Sequence, residues 1–428
     1  MTAKAYIVAL CGAGDRPIAA LGGSTPLEVA RTPNLDRLAG HGRVGAVEVI
    51  GSSIAPESDS GAMALLGYDP LLHYTGRGAL EGLGMGFLDP SERCGCACFR
   101  VNFASYDEGR GRLDRRTARD LSLDEQAELV RELRAGVALP DHPGVTFEVV
   151  GFGRHRGILC FRCPDGELSG NVTNTDPGFR RVGAFGVYNE SYPPQPQPCA
   201  PLDDSEGAAL TAELVNRFSA EARRLMNASP VNARRAREGR LPANVLLLRD
   251  GGHTPPELTR FSDRFGLSLA MYGQIPSEHG LCRLLDGTWN ESVPPEEDLA
   301  GYYHGLAERM HDDPADVVFV HVKGADEPAH DGRVQEKIEA LAQIDRELIG
   351  PLAEALRDSD ILAVTSDHRT PCELGIHSDD PVPMLLFGAG VAADRATAFS
   401  EAQAELGDVG FARACELMDR IAPAVRPA

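Results

Sequence analysis

Lysine is almost missing from this chain. Of its 42 basic residues only Lys4, Lys323 and Lys337 are lysines and the rest are arginines, so a lysine inside a motif stands out. Positive charge is scarce as well: 42 Lys+Arg face 63 Asp+Glu, a formal net charge of −21. Phosphate backbones and anionic lipid surfaces repel such a chain, which argues against nucleic acid or a membrane as partner. A local basic pocket for a small phosphorylated acid is not excluded. No apolar run reaches the about 18–20 residues that a membrane-spanning helix needs. The opening MTAKAYIVALCGAGDRP has neither the basic lead nor the long apolar stretch of a signal peptide, and reads as a buried strand entering a site. The ten cysteines lie partly in apolar strand-like runs, in a chain long enough to hold itself together without crosslinks. They therefore do not read as a disulfide framework, and a reducing cytoplasm is the expected location.

What is present is ordinary globular composition, 43% hydrophobic and 25% charged, which excludes wholesale disorder. At 428 residues the chain exceeds the roughly 250–300 that one core supports, so two domains, or one carrying an insertion, are expected. Continuous apolar runs at Ala5–Leu10, Asn244–Leu248, Val317–Val322, Ile361–Thr365 and Met384–Phe387 suit strands of a parallel sheet covered on both faces. Val334, Ile338, Leu341, Ile344, Leu348, Leu352 and Leu356 recur at steps of three and four, predicting one long amphipathic helix. Thr32 followed by Pro33 predicts a capped helix start. Strands alternating with helices at both ends make an α/β domain. Between about Ser105 and Arg181 the texture changes to Asp, Arg, Gly and His, and a proline-rich stretch occupies 192–201. The expected organisation is a catalytic core over 1–105 and 182–428, interrupted by a smaller inserted α+β cap over 106–181.

Three clusters fall where an open α/β sheet places its ligands, just past strand ends. They are Asp367-His368 with His377, Asp326 with His330, and Ser58 ahead of a short apolar helix ending at Gly67. Asp326 and His330 are four apart, so one helical turn points them the same way. Two aspartates, three histidines and a serine at a helix start form the donor set of a divalent metal such as Mn²⁺ or Zn²⁺, as in a metallohydrolase or phosphotransferase. Taken singly, each has a plainer reading: an Asp-His pair on the surface, or a serine that caps a helix. The thiols at Cys94, Cys96 and Cys98 alternate as on one face of a strand. With Cys160 and Cys163 they could bind zinc, but buried strand cysteines are the better reading.

The run Ser58-Asp59-Ser60-Gly61-Ala62, then Tyr74-Thr75-Gly76-Arg77-Gly78, Asp114-Arg115-Arg116 with Arg119, and His155-Arg156-Gly157 resembles the archaeal-type cofactor-independent phosphoglycerate mutases of the alkaline phosphatase superfamily. So do Asn174-Thr175-Asp176-Pro177, His321-Val322-Lys323, Asp326-Glu327 with His330-Asp331-Gly332, and Asp367-His368 with His377-Ser378. The resemblance covers nearly the whole chain in order. It implies an alkaline-phosphatase-like three-layer core with a central, mostly parallel sheet. It also implies phosphoryl transfer on a small phosphorylated carboxylic acid through a phosphoserine at Ser58, with Lys323 in the catalytic group. By the same resemblance, Asp326, His330 and His377 hold one divalent ion, and Asp367, His368, the serine oxygen and an N-terminal residue hold a second. Arg77, Asp114, Arg115, Arg116, Arg119, His155 and Arg156 match the substrate-holding residues.

Some positions depart from the family's pattern. Cys11 stands where that N-terminal ligand should be an aspartate. Either its thiolate ligates and shifts preference from Mn²⁺ toward Zn²⁺ or Fe²⁺, or the site is weakened. Arg369 follows the Asp-His pair in place of a small serine, which predicts a cation beside the metals. Ala62, Ile376, His279 and Glu57 also differ. These changes leave open a true mutase, a relative recruited to another phosphate or phosphonate acid, and a non-catalytic metal-binding scaffold.

Overall fold

The structure, a computed structural model, describes residues 3–51, 53–90, 95–115, 120–189, 191–295 and 297–426. Its strands in chain order are β1 (Ala5–Leu10), β2 (Arg43–Val47), β3 (Cys96–Asp107), β4 (Arg112–Asp114), β5 (Thr146–Phe152), β6 (Arg156–Arg162) and β7 (Phe179–Val182). There follow β8 (Phe185–Tyr188), β9 (Val245–Gly252), β10 (Leu269–Gly273), β11 (Thr288–Glu291), β12 (Val317–Val322), β13 (Ile361–Thr365) and β14 (Val382–Gly388). The chain divides into two compact units, one of residues 1–73 and 257–428 and the other of 74–256.

The first unit is the expected α/β core, built on a seven-stranded sheet in the order β11-β10-β12-β1-β13-β14-β2. All pairings are parallel except those of β14, which runs antiparallel to β13 and β2. β1, β12 and β13 are buried along their whole length, as their unbroken apolar sequences require of strands covered on both faces. Ile338, Leu341, Ile344, Leu348 and Leu352 pack with Tyr6, Val8, Leu10, Val318 and Val320 in one core. That apolar stripe does not lie on one regular α-helix. It runs through the helix Val334–Ile344, a π-helical turn Asp345–Ile349, and the helix Gly350–Ala355. Pro351, with no N–H for the Glu347 carbonyl, accounts for the widened turn. The turn brings Asp345 to the start of the helix Pro33–Ala39, where its carboxylate accepts from the amides of Asn34 (3.2 Å) and Leu35 (2.7 Å). Thr32 occupies the predicted cap position, but its side chain makes no capping bond; Asp345 takes the exposed amides instead.

The second unit holds the five strands β4-β3-β6-β5 and β9, with β9 antiparallel to β3, and the hairpin β7-β8. Its core is Phe99, Val101, Phe103, Leu129, Leu133, Phe161 and Phe218 with their neighbours. The run at 244–248 is therefore a strand, but of this antiparallel sheet and not of the parallel one. An apolar run records burial on both faces without recording which sheet supplies the neighbours. Because β3 pairs with both β6 and β9, this unit spans 74–256 where composition alone sets an insert at 106–181. The proline-rich stretch is irregular chain tied down by backbone bonds such as Leu113 N to Pro194 O (2.7 Å) and Gln197 N to Thr175 O (2.9 Å). Cys96, Cys98 and Cys160 are buried strand residues, and Cys94 lies outside the described residues. Among the described residues no helix is long and apolar enough to cross a membrane.

The loop after β1 is held from behind by one of the three lysines. Lys337 is fully buried, pairs with buried Asp15 (2.8 Å), and donates to the carbonyls of Gly14 (3.0 Å) and Thr370 (3.1 Å). Arg369, the expected cation beside the metals, belongs to the same clamp. Its guanidinium donates to the carbonyls of Asp15 (2.9 Å) and Pro381. Removing one member of a buried pair leaves a desolvated charge, costing about 3–5 kcal/mol, whereas replacing both costs far less. Lys337→Met should therefore lower unfolding stability in urea by about that amount, and adding Asp15→Leu should restore part of it. A loss below about 1 kcal/mol for the single variant would mean the pair does not fasten the loop.

Candidate functional site

Strand register builds the site. In the parallel trio β12-β1-β13, Leu10 is level with Val322, and Ala9 with His321 and Thr365. The next positions past the strand ends therefore deliver Cys11, Lys323 and Asp367 side by side at one edge. The helix Ser58–Leu65 brings Ser58 as its first residue. Gly61 lets that helix seat directly on the Asp367 backbone, since a Cβ there would lie 2.7 Å from the Asp367 carbonyl oxygen. Gly12 has φ +62° and faces Asp326, whose Oδ1 would sit 2.6 Å from an added Cβ.

Ser58 Oγ accepts from Lys323 Nζ at 2.8 Å, and the same ammonium lies 3.1 Å from Cys11 Sγ. Cys11 Sγ is also 3.4 Å from Asp367 Oδ2 and 3.7 Å from both Ser58 Oγ and His368 Nε2. Three donor groups converge: Cys11 with Asp326 and His368, Cys11 with His321 and Asp367, and Asp326 with His330 and His377. In each, the ligand atoms lie within 4.8 Å of one another. The histidine tautomers follow from their outer bonds. His330 Nδ1 faces the Gly375 carbonyl (2.9 Å) and His377 Nδ1 the Pro56 carbonyl (2.8 Å), so both carry the proton on Nδ1. His368 Nδ1 faces Thr370 Oγ1 (3.0 Å), and that hydroxyl donates to Asp326 Oδ1 (2.9 Å), which fixes the same tautomer. With Nδ1 engaged on the outside, all three rings turn Nε2 inward, the nitrogen through which imidazole would bind metal. The donor set fits divalent ions.

Burial opposes protonation of His330 and His368, but Asp326 beside the first, and Asp367 and Cys11 beside the second, hold both above the ordinary imidazole range, so an arriving ion displaces a proton from each. Burial, Asp326 and Asp367 push the Cys11 thiol up, but Lys323 and His321 outweigh them and hold it below its ordinary value. Burial pulls Lys323 down, and Cys11, Asp326 and Asp367 more than reverse that. Burial, then the neighbouring His368, drives His377 down to about 3, keeping its ring neutral. Behind Asp367 lie two residues absent from the candidates read from the sequence, His321 and Glu278. His321 belongs to the run His321-Val322-Lys323, and Glu278 carries no sequence signal of a site.

In the second unit, Arg77 pairs with Glu81 (3.0 Å), which also takes Arg100. Burial, then the neighbouring cations Arg77, Arg156 and Arg249, against the attraction of Glu81, bring the Arg100 guanidinium down to about 9. Arg115 makes a two-pronged pair with Asp176 (2.6 Å on both prongs), its guanidinium 5.2 Å from the Phe179 ring centre, and Arg249 lies 3.9 Å from the same ring. Arg77, Arg115 and Arg156 therefore sit in a guanidinium cluster that Arg100 and Arg249 extend. Asp114 ends β4, and His155 and Arg156 lie at the turn between β5 and β6. Arg116 and Arg119 lie outside the described residues.

A family model described as 2,3-bisphosphoglycerate-independent phosphoglycerate mutase matches residues 39–232. The chain is 37% identical over 397 residues to the enzyme of that name from Aeropyrum pernix, covering 90% of each chain. It is 36% identical over 417 residues to that from Methanopyrus kandleri, covering 95% of this chain and 93% of the other. A Pyrococcus horikoshii protein of solved structure superposes with a TM-score of 0.75 at 27% identity, over 99% of this chain and 98% of its own. The cofactor-independent phosphoglycerate mutase from Thermoplasma acidophilum gives 0.61 at 30% identity over the whole of both chains.

The contact of Gly61 with Asp367 has a sign that can be checked. Alanine is the better helix former by about 1 kcal/mol, so propensity alone would make Gly61→Ala stabilising. Overpacking against backbone costs about 1–3 kcal/mol and should win. Thermal unfolding should show a lower midpoint for the variant, and a rise would mean the helix can move off Asp367 freely.

Proposed function

The chain belongs to the 2,3-bisphosphoglycerate-independent phosphoglycerate mutase family, and on that premise we propose that it interconverts 3- and 2-phosphoglycerate through a phosphoserine on Ser58. The observation that carries this reading is Ser58 Oγ held at 2.8 Å by Lys323 at the head of a helix, beside converging carboxylates and inward-facing imidazoles. Ser58 Oγ attacks phosphorus, the bond from phosphorus to the substrate oxygen breaks, and the serine proton leaves for the departing alkoxide. Reversal onto the other glycerate hydroxyl completes the exchange. Lys323 steadies the serine oxygen as it loses its proton, and the amides at the start of the Ser58 helix favour the negative charge that gathers there. Asp326, His330 and His377 would hold one divalent ion; Asp367, His368, Cys11 and Ser58 would hold the other. Such ions, when bound, offset the charge on the phosphoryl oxygens and lower the serine pKa. A thiolate among the ligands favours Zn²⁺ over Mn²⁺. Arg77, Asp114, Arg115, His155 and Arg156, with Arg116 and Arg119 by their match to the family's sequence alone, serve to grip the acid's carboxylate and phosphate. The nine described cysteines are all free, which suits a reducing cytoplasm.

Phosphorus NMR of the protein with 3-phosphoglycerate and added Zn²⁺ or Mn²⁺ tests the reaction. The 2-phosphoglycerate resonance should grow to equilibrium, and Ser58→Ala should slow it more than about 10⁴-fold, as expected for loss of a covalent nucleophile. Release of free phosphate alone would mean a phosphatase. An unchanged spectrum with either metal would point to another phosphate or phosphonate acid. Cys11→Asp should shift the preference from Zn²⁺ toward Mn²⁺, read as the ratio of activities with the two ions; an unmoved ratio would remove Cys11 from the ligand set.

A further inference from the structure

Directly behind the site lies a buried chain of three groups drawn from three elements. Glu278, on the helix Pro276–Leu284, makes ion-pair contact with Nδ1 of His321 in β12. Nε2 of the same ring lies 2.8 Å from Asp367 Oδ2, two residues past the end of β13. All three side chains are completely buried. The outer end of the chain is anchored: Glu278 Oε2 accepts from the amides of Gln274 (3.1 Å) and Ile275 (3.3 Å). Room for that carboxylate comes from Gly273, where a Cβ would collide with Glu278 Oε2 and lie 2.8 Å from the Trp289 ring. At the inner end the Asp367 carboxylate is held on both oxygens, Oδ1 by the Gly12 amide (3.2 Å) and Oδ2 by His321.

Nothing in the phosphoryl transfer described above uses Glu278 or His321. Burying two carboxylates around one imidazole is costly unless the geometry fixes something that matters. What this chain fixes is the rotation of Asp367. A carboxylate free to turn must be ordered by an arriving ion, whereas one clamped on both oxygens presents its remaining lone pairs already aimed. Groups that orient a metal ligand in this way alter metal affinity about 10–100-fold when removed.

We propose that Glu278 and His321 are positioning residues that hold the Asp367 carboxylate in the orientation that binds the ion shared with His368 and Cys11. The inference rests on the reading of Asp367 as a metal ligand, and its test separates the two. Zinc affinity is measured on the full-length, metal-stripped protein by competition with a chromophoric chelator, which reads binding without substrate or turnover. The unaltered chain should bind two ions. Glu278→Gln should weaken one of them about 10–100-fold and leave the other unchanged. Gly273→Ala, which crowds Glu278 without altering a charge, should weaken the same one. Asp367→Asn identifies which site is affected and should abolish it. Unfolding of the metal-free variants controls for general damage, since a merely structural role would lower stability and weaken both ions together. If Asp367→Asn removes one ion while Glu278→Gln and Gly273→Ala leave both affinities untouched, the positioning role is wrong and the ligand reading stands. If Asp367→Asn leaves both ions in place, the ligand reading fails and takes the positioning role with it.

Discussion

The parallel register of β12, β1 and β13 is the constraint on which the site depends. Parallel strands end at the same edge, and the pairings of Leu10 with Val322 and of Ala9 with Thr365 fix how far each overhangs it. From that register alone, Cys11, Lys323 and Asp367 become neighbours although more than 300 residues of chain separate the first from the others. A slip of one residue in any of the three would turn an inward side chain to the opposite face. The uniform burial of these strands makes such a slip expensive, so the same apolar residues that form the core also set the spacing of the polar ones.

Charge compensation is the second condition. The site gathers Asp326, Asp367 and an acidified thiol in a largely buried place, where charges of one sign are costly unless paired. Lys323 and His321 are the counter-charges for the thiol, His368 and His321 for Asp367, and His330 and His368 for Asp326. A little further out, Lys337 does the same for Asp15 beneath the loop that carries Cys11. Two of the three lysines in the chain therefore lie at or under the site, Lys337 buried and Lys323 half-buried. A flexible stem and a compact ammonium let lysine reach Ser58 and Cys11 at once, where the broad fork of arginine needs a planar partner. The arginines instead concentrate where planar partners are available, on Asp176 and Glu81, with Phe179 beneath two of them.

How much of this could be read in the sequence follows the same division between local and long-range information. β1, β12 and β13 were legible to the residue, because each is a short, β-branched-rich apolar run whose ends are marked by polar or turn residues. Asp326 and His330 were legible as a pair, because four residues make a helical turn. The sheet to which the run after Ala243 belongs was not legible, since its partner β3 lies about 140 residues away and leaves no mark on it. Nor was the direction of Arg369. A cation next to an Asp-His pair suggests the metals, yet its reach to the Asp15 and Pro381 carbonyls depends on where two other loops pass. Asp345 as the cap of another helix was hidden for the same reason, behind a threonine that satisfied the local rule. Glu278 is the extreme case: it reaches the site only through His321, so no spacing in the chain could have marked it.

Space is the third condition, because three close approaches around the site are made at glycines. Gly12 admits the Asp326 carboxylate, Gly61 admits the Asp367 backbone, and Gly273 admits Glu278. Each lies on a different element and faces a different charged residue, so no one conformational preference explains them; only Gly12 needs a left-handed backbone. What they share is that a methyl group would occupy the position of a carboxylate or of the backbone that carries one. The site is therefore defined as much by atoms left out as by ligands put in. Substitutions that add one carbon far from any reacting atom should disturb it through the carboxylates they displace, whereas large apolar changes on the outer helices leave those positions alone.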